Sequence, residues 1–406
     1  MSGLGKNLSV RGASLKPSET LAIKAKAAEL KAQGRSVIDF SAGEPEIDTP
    51  EFIKEAGIKA IRDGNTKYTA VPGIDALREA IVEKFSKDHG LKYAKNQVIV
   101  TNGGKQALHN ALEVIVEEGD EIVFVSPYWV SYPSMVELAG GKPVVAKTRA
   151  EDGYKLKPET LKEVLSSRTK AVILNYPSNP TGVAYTESEV QALGEVIKAS
   201  NALVVSDEIY EKITYRNYNF KSFAAACPEL FDRTLTVNGF SKTYSMTGWR
   251  VGYLAGPKEV VEAMSRYQSQ TTSNVCSIAQ HAALAALKGP TDFLEKVKVD
   301  YRRRIEMGME AVSSIPGLRV YCDPMGAFYL FISFADLKGN ATGSSKEAVK
   351  SSAQFSAELL EKAGVAVVPG EAFGDDQAFR ISVSCSDENV REGLARIRKG
   401  VETLVR

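Results

Sequence analysis

The chain has 406 residues, enough for a sizeable core and two domains. It is 44% hydrophobic and 25% charged, as ordinary globular proteins are, with a formal net charge of +1. Near-neutrality excludes bulk attraction to nucleic acid or an anionic membrane, and no apolar run is long enough to span a bilayer, so any anion site must be local.

Residues 1–17 read as an irregular arm. A helix begins near Ser18, behind Pro17, and runs to about Gln33, where Gly34 stops it. A strand at 36–40 leads into the turn Ser41-Ala42-Gly43-Glu44-Pro45, where Gly43 lets backbone approach a ligand closely. Thr49-Pro50 predicts a helix start with a capping hydroxyl, and Gly64 ends that helix. Tyr68 and a Pro72-Gly73 turn precede an amphipathic helix carrying Ile74, Leu77, Ile81 and Phe85. From Val98 strands alternate with helices: strands at 98–101, 121–125, 143–146, 170–175, 202–206, 234–237 and 251–255, helices after 103 and near 131–139 and 188–199. This alternation predicts an α/β fold around a largely parallel sheet, with ligands beyond the strands' carboxyl ends. After about 257 a smaller α+β unit follows. It has helices near 257–270, 278–287 and 291–313, strands at 318–321 and 327–333, and a polar loop at 339–345. A helix near 346–363, strands at 365–368 and 379–384 and a last helix from about 386 complete it.

Several strand ends carry residues that suit chemistry. The run Ser241-Lys242-Thr243-Tyr244-Ser245-Met246-Thr247-Gly248-Trp249-Arg250-Val251-Gly252-Tyr253 follows a strand ending at Asn238-Gly239. Lys242, held there, suits a Schiff base with a carbonyl cofactor, and Arg250 can return to grip a dianionic phosphate. On this pair alone, a surface lysine and a salt-bridged arginine are an equal reading. Gly103-Gly104-Lys105 opens a helix whose amides and dipole suit a phosphate. Neither Gly-x-x-x-x-Gly-Lys-Ser/Thr nor a Gly-x-Gly-x-x-Gly after a strand occurs, against nucleotide and dinucleotide enzymes. Trp129 offers a flat face to an aromatic ring, or simply packs. Asn179-Pro180-Thr181-Gly182 alone is a turn. Asp207, after four apolar residues, is costly unless a cation or hydrogen-bond donors pair it, and Tyr210 stands three residues on; a helix cap and a packed tyrosine are the plain alternative. Arg380, inside an apolar strand, calls for a carboxylate, either a substrate's or a structural Asp or Glu. Cys227, Cys276, Cys322 and Cys385 have no disulfide or zinc spacing and read as free thiols of a reducing compartment. His89, His109 and His281 form no metal pattern and are expected on helix surfaces.

In this order, from Gly43 to Arg380, the motifs resemble the class I pyridoxal-phosphate-dependent aminotransferases of fold type I. The thirteen residues around Lys242 and the string Asn175-Tyr176-Pro177-Ser178-Asn179-Pro180-Thr181-Gly182 carry the resemblance. It implies an α/β large domain with a mostly parallel central sheet at 46–295. Residues 1–45 would form an arm and part of a small α+β domain completed by 296–406. Lys242 would form the imine with pyridoxal 5'-phosphate and then shuttle a proton. Asp207 would keep the pyridine nitrogen protonated, Tyr210 and Asn179 would bond the ring oxygen, and Trp129 would stack on the ring. Gly104, Lys105 and Arg250 would lie at the phosphate, with Tyr68 reaching the neighbouring subunit's phosphate in a homodimer. Arg380 would bind the substrate α-carboxylate, aided by Gly43 and near Trp129 and Asn179.

Animal and enteric members carry a serine three residues before the lysine, where this chain has Gly239, and an arginine from the partner for the distal carboxylate. No arginine stands in Gln268–Asn274 to match it. The chain instead resembles the bacterial and plastid aspartate aminotransferases, whose Gly-Gly-Lys lysine and Pro-Ser-x-Thr threonine, here Lys105 and Thr20, meet that carboxylate. Some of that subgroup also convert prephenate to arogenate. The implied partners are amino-acid and 2-oxo-acid substrates, with no nucleic acid, membrane or metal. The implied location is the cytoplasm, or the plastid stroma after loss of a transit peptide. Other readings are an aromatic or alanine preference, a lyase or synthase, and a non-catalytic regulator of the same fold.

Overall fold

The structure, a computed structural model, describes residues 8–9, 12–13, 15, 19–338, 341–342 and 347–405. Chain order runs α1 (Glu19–Ala32), β1 (Ile38–Asp39), α2 (Glu51–Arg62), α3 (Asp75–His89), β2 (Val98–Thr101), α4 (Gly104–Ile115), β3 (Glu121–Ser126), α5 (Tyr132–Leu138), β4 (Lys142–Lys147) and α6 (Pro158–Val164). Next come β5 (Thr169–Asn175), α7 (Glu187–Lys198), β6 (Leu203–Asp207), β7 (Thr234–Gly239), β8 (Gly252–Ala255), α8 (Lys258–Thr271), α9 (Ser277–Lys288), α10 (Asp292–Ser313) and β9 (Tyr329–Ser333). The described chain closes with β10 (Ala341–Thr342), β11 (Glu347–Ala348), α11 (Ser352–Glu358), β12 (Val365–Ala366), β13 (Val368–Pro369), β14 (Ala378–Ser382) and α12 (Asp387–Val405).

Seven strands form one sheet in the order β2-β8-β7-β6-β5-β3-β4. From β7 to β4 neighbours are parallel, and β8 is antiparallel to both β7 and β2. Side chains alternate between the faces. Ile122, Phe124, Ile173 and Val205 pack with Ala107, Leu108 and Leu112 of α4 on one. Val123, Val172, Leu174 and Val204 pack with Leu161 of α6 and Val190 and Leu193 of α7 on the other. With both faces covered, the strands read as continuous apolar runs. Register sets Asn175 beside Asp207 and Asp207 beside Val237, so the carboxyl ends of β5, β6 and β7 open on one crevice. A three-stranded antiparallel sheet, β13-β14-β9, shares a core with α10 and α12 through Ile305, Leu330, Phe379, Ile381 and Leu394. β1 pairs with β12 in parallel, joining the early chain to the late one.

Some expectations are corrected. Thr49 does not cap α2: Pro50 is the N-cap, without a side-chain bond. Thr49 Oγ1 instead donates to the Ser245 carbonyl (2.7 Å) and accepts from Trp249 Nε1 (3.0 Å). The strand expected at 318–321 is one bridge, Arg319 to Ser333. The helix expected from 346 starts at Ser352, because the Ser351 hydroxyl caps it by accepting from Gln354 N (3.2 Å). It ends in a π-helical turn, Leu359–Ala363. The strand expected at 365–368 is split between two sheets. Within the expected loop at 339–345, Ala341–Thr342 pairs with Glu347–Ala348. The rest of that loop, most of the arm, and the Pro17-Ser18 helix start lie outside the described residues. His89 is not a surface residue, since its side chain is buried against Glu211. All four cysteines are free, and no helix among the described residues is long and apolar enough to cross a membrane.

Candidate active site

The carboxyl ends of β5 and β6, the segment after β7, the start of α4, the Ala42–Glu44 turn and β14 enclose a cleft of about 380 Å³. Thr20, Gly43, Gly104, Lys105, Trp129, Asn179, Asp207, Tyr210, Lys242, Arg250 and Arg380 all line it. Of the candidate cofactor and substrate residues, Tyr68 alone does not, standing 91% exposed between α2 and α3.

Lys242 follows β7, and its Nζ donates to the Gly43 carbonyl at 2.5 Å. Burial lowers its pKa to about 8, with Arg380 and Arg250 adding to the effect and Glu44 opposing it. A larger share of this amine is therefore neutral near neutral pH than of an ordinary lysine, which favours a nucleophile or base. Glu44 itself takes Lys24 Nζ (3.1 Å) and the Thr247 hydroxyl (3.1 Å).

Asp207 ends β6 and is buried. Its Oδ2 accepts from the Tyr132 hydroxyl (2.7 Å) and its Oδ1 from Ile209 N (3.4 Å). Burial outweighs both bonds and pushes the carboxyl up to about 6. Asn175 Nδ2 donates to the Asp207 carbonyl (2.9 Å), and Asn175 Oδ1 accepts from Asn179 N (3.0 Å), so the ends of β5 and β6 are tied to the Asn-Pro turn. The Tyr210 hydroxyl meets that of Tyr329 at 2.8 Å.

Arg380, in the middle of β14, is buried. Its Nη1 donates to Asn179 Oδ1 (2.9 Å) and its Nη2 to the Ser41 carbonyl (2.8 Å). The guanidinium lies 4.6 Å over the Tyr329 ring and 5.1 Å over the Phe373 ring. Its Nε is buried without a partner. The structural carboxylate weighed as an alternative is not what holds this arginine among the described residues.

At the other end, Gly103 caps α4 with φ +81°, and a Cβ there would lie 2.5 Å from Arg250 Nη2. Only glycine serves both demands. Arg250 itself has φ +54°, costly for a side-chain-bearing residue and typical of functional turns. It donates to the carbonyls of Thr247 (3.1 Å) and Asn102 (3.3 Å). Lys105 Nζ sits 5.0 Å over the Trp129 ring, and burial together with Arg250 lowers its pKa.

Sequence reasoning missed Tyr132, Tyr329, Asn175 and Glu44. Only Asn175 left a signal, a polar residue closing an apolar strand as Asp207 does.

A family model described as aminotransferase class I and II matches residues 35–397. The chain is 48% identical to the aspartate/prephenate aminotransferase of Cereibacter sphaeroides, over 95% of this chain and 96% of that protein. It is 46% identical to the aspartate aminotransferase of Geobacillus stearothermophilus, over 97% and 99%. Among solved structures, the aspartate aminotransferase from Rhizobium meliloti superposes with a TM-score of 0.93 at 43% identity, over 98% and 99% of the two chains. That from Thermus thermophilus with maleate gives 0.90 at 41%, over 97% and 99%.

Proposed function

The chain belongs to the class I and II aminotransferases, and on that premise we propose that it moves an amino group between aspartate or glutamate and their 2-oxo acids, oxaloacetate and 2-oxoglutarate, with pyridoxal 5'-phosphate as cofactor. The observation that carries this reading is Arg380: a buried guanidinium with an unpaired Nε, partnered by an amide and a carbonyl rather than a carboxylate, in the same cleft as Lys242. Such a group calls for an anion.

The residues present fit the cofactor. Arg250 and the amides opening α4 suit its phosphate, buried Asp207 suits a cationic ring nitrogen, and Lys242 is an amine of lowered pKa. When bound, pyridoxal phosphate supplies a carbonyl that condenses with amines and a ring that takes up the electron pair left at the amino-acid Cα. Lys242 would hold it until substrate arrives and would then take the Cα proton, for which a pKa near 8 is well matched. Asp207 would keep the ring nitrogen protonated, Tyr210 and Asn179 would bond the ring oxygen, and Trp129 would cover a ring face. Arg380 clamps the α-carboxylate with help from backbone at Gly43.

The dicarboxylate preference is supported by Lys105 and Thr20, which line the same cleft and suit a distal carboxylate. The Thermus relative was solved with maleate, itself a dicarboxylate, and the Cereibacter relative's name adds prephenate. We take prephenate as a further acceptor, giving arogenate, and the cytoplasm as the location. Tyr68, exposed here, is assigned to the neighbouring subunit's phosphate in a homodimer. We also propose domains at 46–295 and at 1–45 with 296–406, which the β1–β12 pairing supports. Steady-state assays with aspartate, glutamate and prephenate, beside alanine and phenylalanine, test the reading. A preference for the monocarboxylic pair overturns it.

A further inference from the structure

Asp207, Glu208, Tyr210 and Glu211 share one turn and face opposite ways. Asp207 and Tyr210 line the cleft, whereas Glu208 and Glu211 are buried behind it. Glu211 Oε2 meets His89 Nε2 at 2.6 Å, and Oε1 pairs with Lys84 Nζ. Both partners come from the carboxyl-terminal half of α3. Asp88, on the same helix, takes Lys212 at 2.9 Å and Lys84 at 3.6 Å. Glu208 Oε1 accepts from the hydroxyls of Ser206 (2.8 Å) and Ser222 (2.9 Å) and from Phe223 N (3.0 Å). Glu211 N donates to the Glu208 carbonyl at 3.0 Å, so the turn's own backbone links the two carboxylates.

Buried ions of this kind seldom add net stability, because desolvation offsets their attraction. Burial alone would raise the Glu211 carboxyl, yet Lys84 and His89 hold it well below the usual carboxylate range. Asp88, His89 and Glu211 bring ligand atoms close enough for a metal ion. Their carboxylates are already neutralised by Lys84 and Lys212, so an ion would have to displace Lys84. What the cluster does is fix the far side of the turn to a helix, and reacting groups need their orientation held closely.

We propose that the Glu211–Lys84–His89 cluster is the strut that holds the Asp207–Tyr210 turn in register with the cleft, which makes these three positioning residues for the reaction. The inference rests on the cofactor reading above. Its test is the double variant Lys84→Met with Glu211→Met, studied as holoenzyme and after cofactor removal. Deleting both charges together leaves no lone buried carboxylate or ammonium, and the loss of the His89 Nε2 partner costs only part of the folding stability. A purely structural cluster would leave the site unmoved. The strut instead requires three changes. The pH at which the bound cofactor's visible band titrates shifts by about one unit or more, since Asp207 and Tyr210 would bond the ring. The cofactor-free protein binds pyridoxal phosphate roughly tenfold more weakly, and kcat falls roughly tenfold to a hundredfold with little change in KM. Lys84→Arg, which keeps the ion pair, restores native behaviour. A native titration curve with native cofactor affinity in the double variant overturns the proposal. If that variant does not fold, Glu211→Asp, which keeps the charge but shortens its reach, is read by the same three measures. A native protein with no visible band would overturn the cofactor reading instead, so the two failures are distinct.

Discussion

Tyr132 donates its hydroxyl to Asp207 Oδ2 at 2.7 Å, with both side chains buried at the base of the cleft. This bond favours the carboxylate, yet burial still raises the Asp207 carboxyl from 3.8 to about 6. In the cofactor-free protein the folded state therefore binds this proton more readily than the unfolded state does. The sign follows: relative to Asp207→Asn, native stability is highest below about pH 4 and falls as pH rises to about 6. Tyr132→Phe removes the bond and extends that fall to higher pH. Urea unfolding of the three proteins from about pH 4 to about pH 8 reads it, and an identical profile for Tyr132→Phe and native would refute the role given to the bond.

The Lys242 amine is the group expected to hold the cofactor. The purified protein should be yellow, and borohydride should fix pyridoxal phosphate to the peptide that contains Lys242. Lys242→Ala should lose both the covalent attachment and turnover while folding normally. Label recovered on any other lysine would move the centre of the site elsewhere.

How far the site was legible follows from where its residues stand. Asp207 and Arg380 close or interrupt apolar strands and Lys242 follows one, a misfit that sequence exposes. Tyr132 and Tyr329 are buried aromatics, and an aromatic in a helix or strand reads as core. Their polar partners lie 75 and 119 residues away, so no local pattern links them. The Lys84–Glu211 strut was hidden for the same reason, as a lysine on an amphipathic helix reads as solvated. The seven-stranded sheet was legible because strands buried on both faces stand out as apolar runs. The stretch at 318–321, Leu-Arg-Val-Tyr, alternates as a half-buried strand does, but it meets its neighbour at a single bridge. Thr49 fits a cap by sequence, but its hydroxyl is engaged with the Ser245–Trp249 turn, a tertiary contact that outcompetes the local one.

Tyr68 is 91% exposed and far from lining its own chain's cleft, as a residue serving a second copy would be. Tyr68→Phe should weaken pyridoxal-phosphate binding while leaving the melting temperature of the cofactor-free protein within a degree or so, since an exposed hydroxyl contributes little to folding. Sedimentation at assay concentration should find a dimer. A fully active monomer would remove the reason for assigning Tyr68 to a neighbour's site.

The last prediction separates dicarboxylate from monocarboxylate specificity. A distal carboxylate entering the cleft loses water, and leaving it unpaired costs several kcal/mol, so a cation or donors must meet it. Lys105 is the candidate, with Thr20 lining the same cleft. Its Nζ rests over the Trp129 ring at 5.0 Å, and burial together with Arg250 lowers its pKa, an effect that an incoming anion would oppose by favouring the charged amine. The alternative is that Lys105 only neutralises the cofactor phosphate alongside Arg250. The two diverge in Lys105→Ser. Loss of a charge-assisted bond, about 1.5 to 3 kcal/mol, should cut kcat/KM for aspartate, glutamate and prephenate roughly tenfold to over a hundredfold. Alanine should be spared, and cofactor affinity should change little because Arg250 and the α4 amides remain. Equal losses on alanine and aspartate, or weakened cofactor binding alone, would make Lys105 a phosphate ligand and leave the distal carboxylate without its proposed partner.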